Sequence, residues 1–167
     1  MATQASLSLV ISHWYQLLEG VQGSPKDFYG TVNKAIEERQ IPQAKTSVVQ
    51  WPEGGVGSAR REYLRVRRKE HIFDICGAPF GPSFFVSWWL WIPPGCAGVL
   101  LAIPWVGIFA ERLVRPNTYY KVDTALMFQS AVHAAVLEAV DGMTTAKGRR
   151  GLSELERKPV MREFLAR

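Results

Sequence analysis

The chain has 167 residues, 47% hydrophobic and 21% charged, which suits one folded domain with an ample core and excludes a disordered polypeptide. Twenty Lys and Arg against fifteen Asp and Glu leave a net charge of +5, which favours polyanionic partners, either nucleic acid or anionic lipid. The two cysteines, Cys76 and Cys96, form no CxxC pair, so a disulfide framework is excluded and a reducing compartment is favoured.

The first fifty residues predict one helix after an ambiguous opening. Residues 7–20 combine strand-like alternation with helical spacing, so periodicity leaves both a strand and a helix open. A secretory signal is not predicted, because it requires basic residues before the apolar run and none is present there. Ser24 and Pro25 then predict a helix start, because Ser caps free amides and Pro fits the first helical position. The helix should end near Gln40, since Pro42 disfavours helical geometry before it.

Four strands are predicted next. The predicted strands are residues 46–51, 61–68, 71–76 and 83–92, which are rich in β-branched and aromatic residues or alternate with arginine. Gly- and Pro-rich stretches follow the first and the third strand, and a tight turn at Arg68-Lys69-Glu70 joins the second to the third. With the helix, the four strands predict an α+β domain over residues 1–92 that contains a small antiparallel sheet.

An uncharged stretch begins inside the third predicted strand and continues past the fourth. Residues 75–110 contain no Asp, Glu, Lys, Arg or His, although about a fifth of the chain is charged. We predict a hydrophobic membrane-associated segment at 93–115. Tryptophans at its edge suit the headgroup level, and the following arginines can reach phosphates. The residues expected at the membrane are Trp88, Trp89, Trp91, Leu100, Leu101, Ile103, Trp105, Ile108 and Phe109.

Three arrangements of this segment stay open. A single short transmembrane helix near 95–114 has marginal length, since a span needs about 20 apolar residues. A re-entrant or in-plane insertion would bend at Pro93-Pro94 or Pro104 and leave both flanks on one side. A soluble fold would instead bury the segment or use it as a dimer interface. Residues 1–93 hold ten Lys and Arg and 94–167 also hold ten, so charge encodes orientation poorly.

The C-terminal region 116–167 predicts two helices. Thr118 begins a stretch to about Ala146 whose alanine-rich apolar stripe suits packing against the first domain or a second copy of the chain. Ser153 and Glu156 resemble a capping box that begins a last helix, which Pro159 interrupts.

The densest basic cluster lies on the second predicted strand. Arg61, Arg65 and Arg67 share one strand face, and the side chains expected to contact anionic lipid or phosphate are Arg61, Arg65, Arg67, Arg68, Arg112 and Arg115. A solvated sheet face is the simpler alternative. Nucleic acid is not expected, because it requires stacking aromatic rings beside the arginines and only Tyr63 qualifies.

No catalytic, metal or cofactor site is predicted. The histidines at 13, 71 and 133 are far apart, Cys76 sits in an apolar strand, and the glycine-rich run at 54–57 lacks the Lys of a phosphate loop. The sequence therefore favours a non-enzymatic, membrane-anchored cytoplasmic domain that scaffolds, senses or assembles at a bilayer, with a homo-oligomer or protein partner. The alternative is a soluble α+β module that binds an apolar ligand or protein through its aromatic strand and helix.

Overall fold

The structure is a computed structural model and describes residues 9–52, 60–93 and 118–161. The elements are β1 (Leu9–Leu18), α1 (Pro25–Glu38), β2 (Lys45–Pro52), β3 (Arg60–Arg68), β4 (His71–Phe80), β5 (Ser83–Ile92), α2 (Tyr119–Ala146) and the two-residue β6 (Val160–Met161). They form one antiparallel sheet in the order β2-β3-β4-β5-β1-β6. The predicted α+β fold with an antiparallel sheet is confirmed.

The ambiguous opening of the chain is a strand. β1 lies beside β5, with Trp14 opposite Trp88, and a bulge interrupts the register between Val10 and Ser12. Trp14 and Leu18 are buried, whereas Leu17 is exposed on the opposite face of the sheet. Helical spacing would place Trp14, Leu17 and Leu18 on one face, whereas the period of two in a strand puts Leu17 on the face opposite the other two.

Both helices begin where their capping residues predict. Ser24 accepts a hydrogen bond from the backbone of Asp27 at the start of α1, and Thr118 accepts one from the backbone of Lys121 at the start of α2. α2 ends at Ala146, as predicted. The predicted apolar stripe of α2 is buried at Ala125, Phe128, Val132, Ala135, Val136, Ala139 and Val140.

The two helices cover one face of the sheet and enclose the core. On that face the Phe28 ring meets Phe84 at 5.7 Å between centroids, and Phe73 meets Phe128 at 5.3 Å. The alanine-rich stripe of α2 therefore packs on the sheet of its own chain. Residues from the predicted regions 1–92 and 116–167 share this single hydrophobic core.

Polar contacts also join the two regions. The Ser12 hydroxyl donates to the side-chain carbonyl of Gln129 at 2.6 Å, and the Trp88 indole donates to Nδ1 of His133 at 3.0 Å. The Trp14 indole donates to the backbone carbonyl of Glu156 at 2.7 Å. Because these groups are buried or partly buried, their bonds hold α2 and the C-terminal turn in one orientation on the sheet.

The prediction of a second C-terminal helix is wrong. Ser153 and Glu156 do form the reciprocal capping contacts, but only one turn follows before β6. The carbonyl of Glu156 accepts from Trp14 and Gln16, so it is committed to tertiary contacts. Pro159 has no N–H to continue a helix, and Val160 pairs with β1.

The first half of the uncharged stretch belongs to the sheet. Residues 75–80 and 83–92 lie in β4 and β5, where burial explains the lack of charge of most of them; Pro79, Phe80 and Trp89 are exposed. No helix within 9–52, 60–93 and 118–161 is both long and apolar enough to cross a bilayer. The predicted segment 93–115 lies, apart from Pro93, outside the described residues.

The bond from Trp88 to His133 gives a test of the core. Trp88→Phe leaves Nδ1 of His133 buried without a donor, so we expect the free energy of unfolding to fall by about 2–4 kcal/mol. Trp89→Phe, the same change on the exposed face, should alter it by less than about 0.5 kcal/mol. Urea unfolding in neutral detergent measures both, and equal losses would contradict the burial of Trp88.

Two buried histidines predict acid sensitivity. Burial lowers the pKa of His71 and of His133 below the ordinary 6.5. The folded state therefore binds fewer protons than the unfolded chain, and stability that is complete above pH 6.5 is lost as the pH falls below it. The slope has an upper limit of about 1.4 kcal/mol per pH unit for each histidine.

Unfolding titrations between about pH 7.5 and 5 measure this slope. His133→Gln should roughly halve it, and stability that is flat across this range would contradict the assignment.

Candidate functional site

The face of the sheet that α1 and α2 leave uncovered carries three of the five arginines and three of the five tryptophans that the described strands contain; we call it the outer face. Strand partners share a face, so the register places residues from five strands side by side. One row crosses the sheet from His13 through Trp89, Asp74 and Arg65 to Ser47. The other outer-face residues used below are Tyr15, Lys45, Trp51, Arg61, Tyr63, Arg67, Cys76, Phe85 and Trp91.

A polar cluster lies at the centre of the outer face. Arg65 binds Asp74 through two parallel hydrogen bonds of 2.7 and 2.8 Å, and the Trp91 indole donates to the same carboxylate at 2.9 Å. The Arg65 guanidinium also lies 5.3 Å from the ring centroid of Trp51 and 5.3 Å from that of Trp91. This combination of a bidentate ion pair and two cation–π contacts fixes both indoles in place.

Two further pairs of rings extend the outer face across β5 and β1. Trp89 stacks on His13 with centroids 4.8 Å apart, and Phe85 stacks on Tyr15 at 6.4 Å. Trp89 is 43% exposed and Tyr15 is 60% exposed. The outer face therefore offers aromatic surface to solvent at its β5–β1 side.

The charge on the outer face is unbalanced. Lys45, Arg61, Arg65 and Arg67 lie on it, and Asp74 is the only acid on it among the strand residues that the structure describes. Asp74 is already bound to Arg65. Within the described ranges no ion pair involves the other three cations, all of which are exposed.

Cys76 does not have the surroundings of a nucleophile. Its thiol is buried on the outer face beneath neighbouring side chains, and burial raises its pKa although Arg61 acts in the opposite direction. A raised pKa leaves the thiol protonated and unreactive. In the part of the chain that the structure describes, no three His, Cys, Asp or Glu side chains are grouped to hold a metal ion.

The predicted phosphate-contacting arginines are divided by the strand. Arg61, Arg65 and Arg67 share the outer face, as their spacing predicted. Arg68 points to the other face of the sheet, where it donates to the carbonyl of Pro42 at 3.0 Å. Arg112 and Arg115 lie outside the described residues.

The predicted membrane-contacting residues are also divided. Trp88 is fully buried in the core, whereas Trp89 and Trp91 lie on the outer face. The remaining six lie outside the described residues: Leu100, Leu101, Ile103, Trp105, Ile108 and Phe109.

Sequence reasoning missed Asp74 and Trp51, although a signal for Asp74 was present. The two-residue turn at Lys69 and Glu70 pairs Arg68 with His71. Moving three residues away from the turn along each strand pairs Arg65 with Asp74. Trp51 joins them through β2, whose register depends on the longer connection at 53–59. No local pattern sets that register.

A second surface lies at the end of the sheet where residues 94–117 connect to the fold; we call it the segment end. It comprises residues 68–72, 91–93 and 118–121. Ile72 pairs with Trp91, and Arg68 and Lys121 both lower the pKa of His71 through their charge, so these elements are neighbours. Tyr119 and Tyr120 are 92% and 74% exposed there.

Comparisons with protein-family models, with curated proteins and with solved structures found no match to this chain.

The central cluster predicts a measurable loss of stability. Asp74→Asn removes the carboxylate that neutralises Arg65, so we expect the free energy of unfolding to fall by about 2–3 kcal/mol. The double variant Arg65→Met with Asp74→Leu should recover part of that loss, because no uncompensated charge is left.

Lys34→Met is the matched control. It breaks an ion pair whose two side chains are 78% and 58% exposed, and it should cost less than about 0.5 kcal/mol. Denaturant unfolding of the four proteins decides, and an Asp74→Asn loss no larger than that of the control would contradict the cluster's role.

Proposed function

We propose that this protein is a non-enzymatic, membrane-associated domain that scaffolds, senses or assembles at the cytoplasmic face of a bilayer. Its hydrophobic segment 93–115 enters the membrane from one side and returns to that side. The observation that carries the proposal is that both flanks of the segment belong to one core.

A single crossing is incompatible with that core. It would place the residues before 93 and those after 117 on opposite sides of the bilayer, whereas the Trp88 indole is hydrogen-bonded to His133 at 3.0 Å. A re-entrant insertion keeps the two flanks together. It also leaves the ten Lys and Arg of residues 1–93 and the ten of 94–167 on one side, as the preference of positive charge for the cytoplasm favours.

The length of the segment agrees with a re-entrant path. Pro104 divides the segment into residues 94–103, which carry no charge, and residues 105–114, whose charged side chains are Glu111 and Arg112. A helical arm of ten residues would measure about 15 Å, roughly half of the 30 Å hydrocarbon layer. Such arms are too short to cross and long enough to reach the bilayer centre.

The segment end has the composition of a membrane–water interface. Tyr119 and Tyr120 are almost free of protein contacts, and Lys121, Arg68 and Lys69 lie in the same region. Tyrosine favours the headgroup level, while lysine and arginine attract anionic phosphates. Of the predicted lipid-contacting arginines, Arg67 and Arg68 are close to this end.

A second candidate is a soluble module that binds a partner through its aromatic strand. The outer face supports this candidate, because the exposed rings of Trp89 and Tyr15 could contact a partner without the protein being bound to a membrane. In that function residues 94–117 would be covered by protein.

Fractionation combined with a topology assay separates the candidates. The full chain, with a protease-cleavable tag at each terminus, is expressed in cells, and sealed membrane vesicles are prepared. We expect the protein to pellet with the membranes after carbonate extraction. We also expect the two tags to be either both cleaved or both protected, because both flanks of the segment would lie on one side of the bilayer. Leu101→Arg should release the protein into the supernatant, since an arginine at membrane depth costs about 2.5–3.5 kcal/mol.

Leu155→Arg is the control for this variant, because Leu155 is 79% exposed in the C-terminal turn. It should stay with the membrane. Release of the unmodified chain by carbonate would favour the soluble module, and tags found on opposite sides would disprove the re-entrant path.

A further inference from the structure

We propose that the outer face binds single-stranded nucleic acid, with the backbone phosphates along β2 and β3 and the bases over β5 and β1. This activity goes beyond the proposed membrane association and does not depend on it. The inference rests on one sheet face that places cations without an ion-pair partner among the described residues beside exposed aromatic rings.

The cations provide the electrostatic part of the site. Arg61 and Arg67 project from β3, and Lys45 lies opposite Arg67 on β2. None of the three is matched by an acid on the outer face, since the Asp74 carboxylate is occupied by Arg65. A row of uncompensated cations along one direction tracks a phosphate backbone and releases its counterions.

The aromatic rings provide the second part. Nucleobases stack on Trp, Tyr, Phe and His rings without needing a particular sequence. The Trp89–His13 pair and the Tyr15–Phe85 pair lie on the adjacent strands β5 and β1. The Trp91 indole, held by Asp74 and Arg65, lies between these rings and the cations.

The division of these groups favours an extended strand of nucleic acid over other polyanions. Cations occupy the β2–β3 side, together with the partly buried rings of Trp51 and Tyr63, and the exposed rings occupy the β5–β1 side. This arrangement matches a polymer with phosphates along one edge and bases along the other. An acidic peptide would use only the cations. A lipid surface would be reached from the segment end, whereas Arg61 lies six residues from Arg67, about 20 Å further along β3.

The test uses the full chain in neutral detergent micelles and a fluorescein-labelled oligothymidylate of about 15 nucleotides. Anisotropy is recorded at about 50 and 200 mM salt, and tryptophan emission is recorded in parallel. We expect binding that weakens with salt and quenches tryptophan. Arg61→Gln and Arg67→Gln should each lower the affinity about fivefold near 0.1 M salt and flatten the salt dependence.

Trp89→Ala should weaken binding about fivefold to 150-fold without changing the salt dependence, because stacking is lost and the phosphate contacts remain. Lys34→Gln, on the exposed side of α1, removes the same charge away from the outer face. Tyr120→Ala removes an aromatic ring that is 74% exposed on α2. Both controls should bind as the unmodified chain does, and circular dichroism checks that every variant is folded.

Several results would overturn the proposal. These are absence of binding at low salt, an equal loss in Lys34→Gln, full displacement by polyglutamate, or binding that Trp89→Ala leaves unchanged. Vesicles of phosphatidylcholine with phosphatidylglycerol form the last arm. If vesicle binding depends on Arg61 and Trp89 while oligonucleotide binding does not, the outer face is a lipid-binding surface instead.

Discussion

The imidazole of His133 on α2 joins that helix to β5 of the sheet and to the C-terminal turn. Its Nδ1 accepts from the Trp88 indole on β5, and its Nε2 lies 2.6 Å from the carbonyl of Arg157 in the C-terminal turn. A neutral ring with the proton on Nε2 satisfies both partners, and the lowered pKa of His133 agrees with that form. Since β5 precedes the 94–117 connection and α2 follows it, this contact requires the connection to begin and end on one body.

The packing of the sheet explains why an uncharged stretch of sequence need not indicate a membrane-embedded segment. β4 has the helices on one side and the side chains of the outer face on the other, so Ile72, Asp74 and Cys76 are buried although they point away from the helices. Long side chains such as Arg65 and Trp91 act as a second layer over the sheet. β5 is apolar from Phe84 to Ile92 apart from Ser87, because the core covers one of its faces and aromatic side chains line the other, where Trp89 is 43% exposed.

How much the sequence predicts follows from the range of each interaction. The starts of α1 and α2 depend on residues within one turn, Ser24 and Thr118, and both were predicted. The same local logic failed at Ser153, because the capping contacts form there while distant side chains take the carbonyls that a helix would need. The outer face depends on the register between strands. The alternation along β3 predicts which face Arg65 occupies, but its partners Asp74, Trp51 and Trp91 lie on other strands and were not predicted.

Most of the outer face lies away from the segment end, although Trp91 belongs to both surfaces and Arg67 lies next to the segment end. Strands rise about 3.3 Å per residue, so Arg61 lies about 20 Å further than Arg67 from the segment end. At physiological ionic strength the Debye length is about 8 Å, and the field of anionic headgroups at the segment end is therefore screened before it reaches Arg61. A bilayer that met the protein only at the segment end would leave the outer face open to solvent, because the exposed rings of Trp89 and Tyr15 lie on the side of the sheet. The fold thus allows one surface to hold the protein at a membrane while the other meets a partner in solution.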